Sequence, residues 1–132
     1  MRFKRKDGKF RHFVDEDTGI EFFQENAPEG LDYATLVFRD SSHNGAPVEI
    51  IFRAPWLKRF SEQKDAEGKL RRVENWYGFE IPQSEFQSKF HAYAKGDTTK
   101  LRELRDYLTH ALTYFFQEFG KVPEPVIRFS DN

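Results

Sequence analysis

The stretch Leu70–Gln87, LRRVENWYGFEIPQSEFQ, changes its period half-way along, and that change decides the fold. Up to Ile81 the apolar residues suit an extended strand. Strand alternation places Val73, Tyr77, Phe79 and Ile81 on one face, with Gly78 marking a candidate bulge. Pro82 stops the sheet. Ser84-x-x-Gln87 then has the form of a capping box, and Phe86, Phe90 and Tyr93 follow at helical spacing. Gly96 is a C-cap candidate, and Asp97 or Thr98 can cap a second helix at once. The stripe of that helix is Leu101, Leu104, Leu108, Ala111, Leu112, Phe115 and Phe119, and Gly120 and Pro123 end it.

Reading back toward the N-terminus, the chain is punctuated like an antiparallel sheet. The strand candidates are Ile20–Glu25, Tyr33–Arg39 and Val48–Arg53, rich in aromatic and β-branched residues. Asp7-Gly8, Asp15–Gly19 and Asn44-Gly45 are turn signals between them. Ala54-Pro55 is expected to end the third strand, since proline cannot donate to a ladder. Ser61–Lys69 is polar apart from Ala66 and is expected to be a solvated hairpin tip or loop. Pro125–Phe129 is expected to be a last short strand or an extended tail.

Strands first and helices last imply an α+β fold. The expected architecture is one domain: an antiparallel sheet of about five to seven strands over residues 1–81, then two helices over 82–120 packed on one face. A length of 132 residues suits a single core. Fifteen Phe, five Tyr and two Trp supply large buried surfaces, and a net charge of −1 speaks against disorder.

The chain has no cysteine, so disulfides, thiolate nucleophiles and cysteine-bound zinc are excluded. No window approaches the length of a membrane span and no apolar leader is present, so a cytoplasmic protein without membrane contact is expected. The four histidines make no H-x-x-x-H pattern, and Asp15–Gly19 fails the calcium-loop pattern. No phosphate loop, dinucleotide fingerprint or nucleophile elbow occurs. No cofactor, metal or catalytic residue is therefore assigned.

Three surfaces remain as binding candidates. The first is Trp56, Arg59, Phe60, Arg72 and Trp76, aromatic and basic residues on either side of the polar tip. This is the chemistry of protein-binding hot spots, and it points to a non-enzymatic inhibitor-, immunity- or adaptor-like protein, monomeric or homodimeric, whose partner is another protein. If Tyr77 and Phe79 face the core, alternation turns Trp76 outward.

The second is RFKRKDGKFRHF (Arg2–Phe13), with Lys4, Arg5, Lys6, Lys9 and Arg11 as a polyanion or nucleic-acid surface. A two-residue turn at Asp7-Gly8 puts Lys6 opposite Lys9 and Lys4 opposite Arg11, stacking like charges. Residues 15–32 carry seven acids and no Lys or Arg, so a neighbouring acidic strand answers the same charge as well as a bound polyanion does.

The third is Asp40-x-Ser42-x-x-Gly45. This string resembles the second nucleotide-contacting motif of PilZ domains, which bind cyclic di-GMP on a small β-barrel. The resemblance implies nucleotide contacts at Asp40, Ser42 and Gly45. The family's R-x-x-x-R element is matched only by R-x-x-x-K, at Arg2 with Lys6 and Arg5 with Lys9. Lysine lacks the bidentate fork of arginine.

Overall fold

A computed structural model describes residues 1–7, 11–25, 33–42, 46–120 and 122–131. Six strands come first: β1 (Phe3–Asp7), β2 (His12–Asp15), β3 (Ile20–Gln24), β4 (Tyr33–Asp40), β5 (Val48–Lys64) and β6 (Leu70–Pro82). Helices α1 (Gln83–Ala94) and α2 (Thr98–Gly120) follow, and β7 (Val126–Ser130) closes the order. Among the described residues the strands form one seven-stranded sheet in sequence order. Every pairing is antiparallel except β6 with β7, where the helices carry the chain across so that β7 runs parallel to β6. The expected α+β architecture is the one observed. Among the described residues no helix is long and apolar enough to cross a membrane.

The core explains the shape. A flat sheet would hold β2 and β6 about 19 Å apart, four spacings of ~4.8 Å. Yet Phe115 of α2 lies 6.2 Å from Phe13 of β2 and 6.1 Å from Phe79 of β6, centroid to centroid. The sheet therefore curls around α2. Phe90 of α1 packs edge-on against Phe38 and Phe52 along the same inner face. In α2 the buried set is Leu104, Leu108, Ala111, Leu112 and Phe115, joined by Tyr107 and Phe116, which the stripe read from sequence omits.

Local structure departs from the sequence reading at four places. First, β5 does not end at Pro55. It runs on for 17 residues, roughly 55 Å, and changes partner there. Val48–Pro55 pairs with β4, and Trp56–Lys64 pairs with β6. Pro55, with no N–H to donate, is the last residue paired to β4. Ser61–Lys64 thus belongs to the strand, and only the turn after Lys64 is a tip.

Second, β1 and β2 do not meet around a two-residue turn. Phe3 lies opposite Asp15, Lys4 opposite Val14 and Arg5 opposite Phe13, with a bulge at Lys6. This register sets Phe3 edge-on to the fully buried Phe13, at 5.3 Å, and separates the cations that the shorter turn would stack. Gly8 and Lys9 lie outside the described residues.

Third, Ser84 does not cap α1. The helix starts at Gln83 with Pro82 at the N-cap and no side-chain cap, which leaves Ser84 inside the first turn. By contrast Asp97 caps α2, its Oδ1 accepting from the N–H groups of Thr99 (2.9 Å) and Lys100 (3.3 Å).

Fourth, β6 carries its bulge at Tyr77. Leu57 pairs with Gly78 but Lys58 pairs with Trp76, so the alternation reverses across Tyr77. The face that holds Phe79 and Ile81 beyond the bulge holds Trp76 before it.

Candidate protein-binding arm

Past Pro55 on β5 and before Tyr77 on β6, the two strands leave the body as a ribbon. Its rungs run from Lys58–Trp76 out to Lys64–Leu70. The tip is a tight turn in which Asp65 accepts from the N–H groups of Glu67 and Lys69, both at 2.9 Å, and from Arg71 Nε at 2.8 Å. The Arg71 guanidinium, with those backbone donors, holds the Asp65 carboxyl below the usual range. Gly68 takes φ +80°, which the turn requires.

At the root of this arm Trp56 and Trp76 stack, centroids 4.5 Å apart and planes at 15°. Trp56 also lies over Phe79 (4.7 Å) and meets Phe116 edge-on (5.3 Å). It is only 7 % exposed. Trp76 is half-buried and packs on the core side rather than facing outward, because the Tyr77 bulge has turned it. The pair thus anchors the arm to the core.

The exposed aromatic of the set is Phe60, at 51 %. It lies on the same β5 face as Trp56, four residues further out. The guanidinium of Arg72 sits 4.0 Å over its ring. Beside them is an open hollow of about 310 Å³ lined by Phe60, Ser61, Glu62 and Arg72. Arg59 is exposed on the opposite face, paired in register with Asn75. The structure therefore brings Phe60 and Arg72 together at a solvent-open site and puts Trp56 and Trp76 beneath it as support. Leu70, 64 % exposed at the outermost rung, is a residue the sequence reading missed. The signal for it was an apolar residue at the first strand position after the Gly68 turn.

The basic hairpin is answered by its own acids. Arg2 reaches Glu16 and Asp17, each at 3.5 Å, Lys4 reaches Glu16 at 3.8 Å, and Lys6 bonds Glu21. Arg11 donates to Gln24 Oε1 at 3.0 Å. Arg5 lies 4.9 Å over the Phe119 ring. Lys9 lies outside the described residues. Glu21 also faces His12 at 3.6 Å and Arg39 at 3.8 Å. Burial holds the His12 imidazole below its ordinary pKa. Glu21 opposes this, but Lys6 and Arg39 share that carboxylate and add their own repulsion.

Asp40 and Ser42 bond one another. Asp40 Oδ1 accepts from Ser42 N–H (2.9 Å) and Ser42 Oγ (2.5 Å), and its Oδ2 accepts from the Tyr93 hydroxyl. Asp40 is 2 % exposed, so it ties the end of β4 to α1. Burial, and then Asp40, hold the Tyr93 phenol above its usual range. Gly45 lies outside the described residues. Tyr107, its phenol also raised by burial, shares with Tyr93, Thr18, Ile20 and Leu104 a small apolar cleft of about 230 Å³.

No family model, curated protein or solved structure matches this chain.

Proposed function

We propose that the chain is a small, non-catalytic, cytoplasmic protein-binding domain that engages its partner through the β5–β6 arm. One observation carries this reading: Phe60, half exposed, stands beyond the core on a projecting ribbon with the Arg72 guanidinium 4.0 Å over its ring. An aromatic and an arginine pre-arranged beside an open hollow form a typical anchor for a protein surface, since their rotamers are already restricted before contact. Trp56 and Trp76 support the reading from beneath, as the rigid base of the arm. The cytoplasmic assignment rests on a cysteine-free composition.

The test is affinity capture from a lysate of the source cells, with the tagged wild-type chain beside Phe60→Ala and Arg72→Ala. Proteins retained by the wild type and lost from both variants, with both variants folded, support the reading. An identical retained set from all three chains overturns it.

A further inference from the structure

We infer that the outer edge of β6 in the arm pairs antiparallel with the same edge of a second copy of this chain, with Val73 on the twofold axis. The inference rests on reading the arm as the contact element and gives that element one partner.

The edge is open over a defined length. On its inner side β6 pairs with β5 from Leu70 to Phe79, apart from the bulged Tyr77. On its outer side β7 covers only Gly78–Pro82. Among the described residues nothing pairs with Leu70–Trp76 on that outer side. The free segment is bounded by the tip at one end and by Val126, opposite Gly78, at the other. Such a row of unpaired N–H and C=O groups is a template for another strand. An antiparallel copy centred on Val73 fills this length and stops where β7 begins.

The sequence of the edge selects that register. Leu70–Trp76 reads LRRVENW. With Val73 opposite itself, Arg72 falls opposite Glu74 of the second copy, Arg71 opposite its Asn75, and Leu70 opposite its Trp76. Each contact occurs twice, as an isologous interface requires. Shifting the centre by one residue either way sets Arg72 or Glu74 opposite itself, and like charges directly opposite are destabilising. Leu70, 64 % exposed in the single chain, is covered, and it covers the open side of the half-buried Trp76. This edge carries both signs, in an order that complements itself. Residues directly opposite share a face, so pairing also sets both Phe60–Arg72 sites on one side of a four-stranded ribbon. A partner with two matching sites then gains avidity from their linkage.

The chain has no cysteine, which allows a clean cross-linking test. Residues directly opposite in an antiparallel pair have Cα atoms about 4.5–5.5 Å apart, within disulfide reach. Val73→Cys is therefore expected to form a disulfide-linked dimer under mild oxidation. Arg71→Cys and Asn75→Cys, each about 13 Å from its own copy in this register, are expected to react at least about tenfold more slowly. Sedimentation equilibrium supplies the second measurement. Arg72→Glu is expected to weaken association roughly tenfold, and Arg72→Glu combined with Glu74→Arg to restore it. Equal cross-linking at all three positions overturns the register. A wild type that stays monomeric at every concentration, with no cross-link at position 73, overturns the dimer. In that case, loss of a captured protein with Phe60→Ala leaves the binding reading standing. A dimer with the stated register and a captured set indifferent to Phe60→Ala removes the Phe60 reading alone.

Discussion

Trp56 and Trp76 lie face to face, 4.5 Å between centroids, one on each strand of the arm and both on the side of the sheet that carries the core. The contact exists because one extra residue, Tyr77, reverses the alternation of β6 between Phe79 and Trp76.

Removing Trp56 should be costly. The ring is buried and touches Trp76, Phe79 and Phe116. Trp56→Ala is expected to lose about 3–5 kcal/mol, the range for a buried Trp or Phe. Trp76→Ala, half-buried, should lose less. Urea unfolding followed by far-UV circular dichroism measures both, and equal losses would contradict the anchoring order.

Phe60→Ala should leave the fold almost untouched. Its ring is 51 % exposed and lies outside the core cluster, and the change forgoes its stacking with Arg72, about 0.5–1 kcal/mol at an exposed site. The midpoint of urea unfolding is expected to move little while the protein retained in the capture experiment disappears.

Tyr93→Phe tests the tie between β4 and α1. It takes one donor from a carboxylate that is 2 % exposed and leaves the two bonds from Ser42 in place. The expected loss is about 1–3 kcal/mol, the cost of leaving a buried acceptor under-satisfied. The Tyr93 phenol is raised in the folded state, so its stabilising share is full below the ordinary tyrosine pKa and is lost as pH rises through the folded value. Alkaline titration at the phenolate absorption band should show this tyrosine ionising only as the fold gives way.

His12 sets an acid-side dependence of the opposite kind. Its folded pKa is depressed, so the unfolded chain takes up this proton first. Stability should be full above the ordinary histidine pKa of about 6.5 and should fall as pH drops from there through the folded value. His12→Gln is expected to flatten that part of the profile of melting temperature against pH. An unchanged slope would mean that the histidine does not contribute.

Gly78→Ala should dislodge β7. A Cβ built at Gly78 comes 1.9 Å from the Val126 carbonyl oxygen, a backbone atom in the paired strand. One strand must move away, at a cost of about 3 kcal/mol, the upper end of overpacking. Amide exchange at Ile127–Phe129 should accelerate well before the rest of the sheet.

How far the chain could be read by eye follows from which signals are local. The two helices were legible because Phe86, Phe90 and the Leu104–Phe115 stripe repeat at 3.6 residues, and because Asp97 sits at a cap position. The strands around Phe22, Phe38 and Phe52 were legible from alternation and turn residues. The course of β5 through Pro55 was not, because a proline is harmless where a strand changes partners, and that change is a property of three strands together. The β1–β2 register was missed for a similar reason: the seating of Phe3 against Phe13 outweighed the Asp7-Gly8 turn signal. For the candidate site, the sequence grouped Trp56, Arg59, Phe60, Arg72 and Trp76 on either side of the polar tip, and the Phe60–Arg72 contact came only from the structure. Alternation gave the wrong side for Trp76, since a one-residue bulge reverses every face assignment beyond it.

The parallel strand has a kinetic consequence. β1 to β6 pair as successive neighbours along the chain, whereas the Glu80–Arg128 contact between β6 and β7 joins residues 48 apart, with both helices between them. Local pairings form early and distant ones late, because closing a longer loop costs more chain entropy before any contact repays it. Docking of Val126–Ser130 should therefore be the last step of assembly and its release the first step of opening.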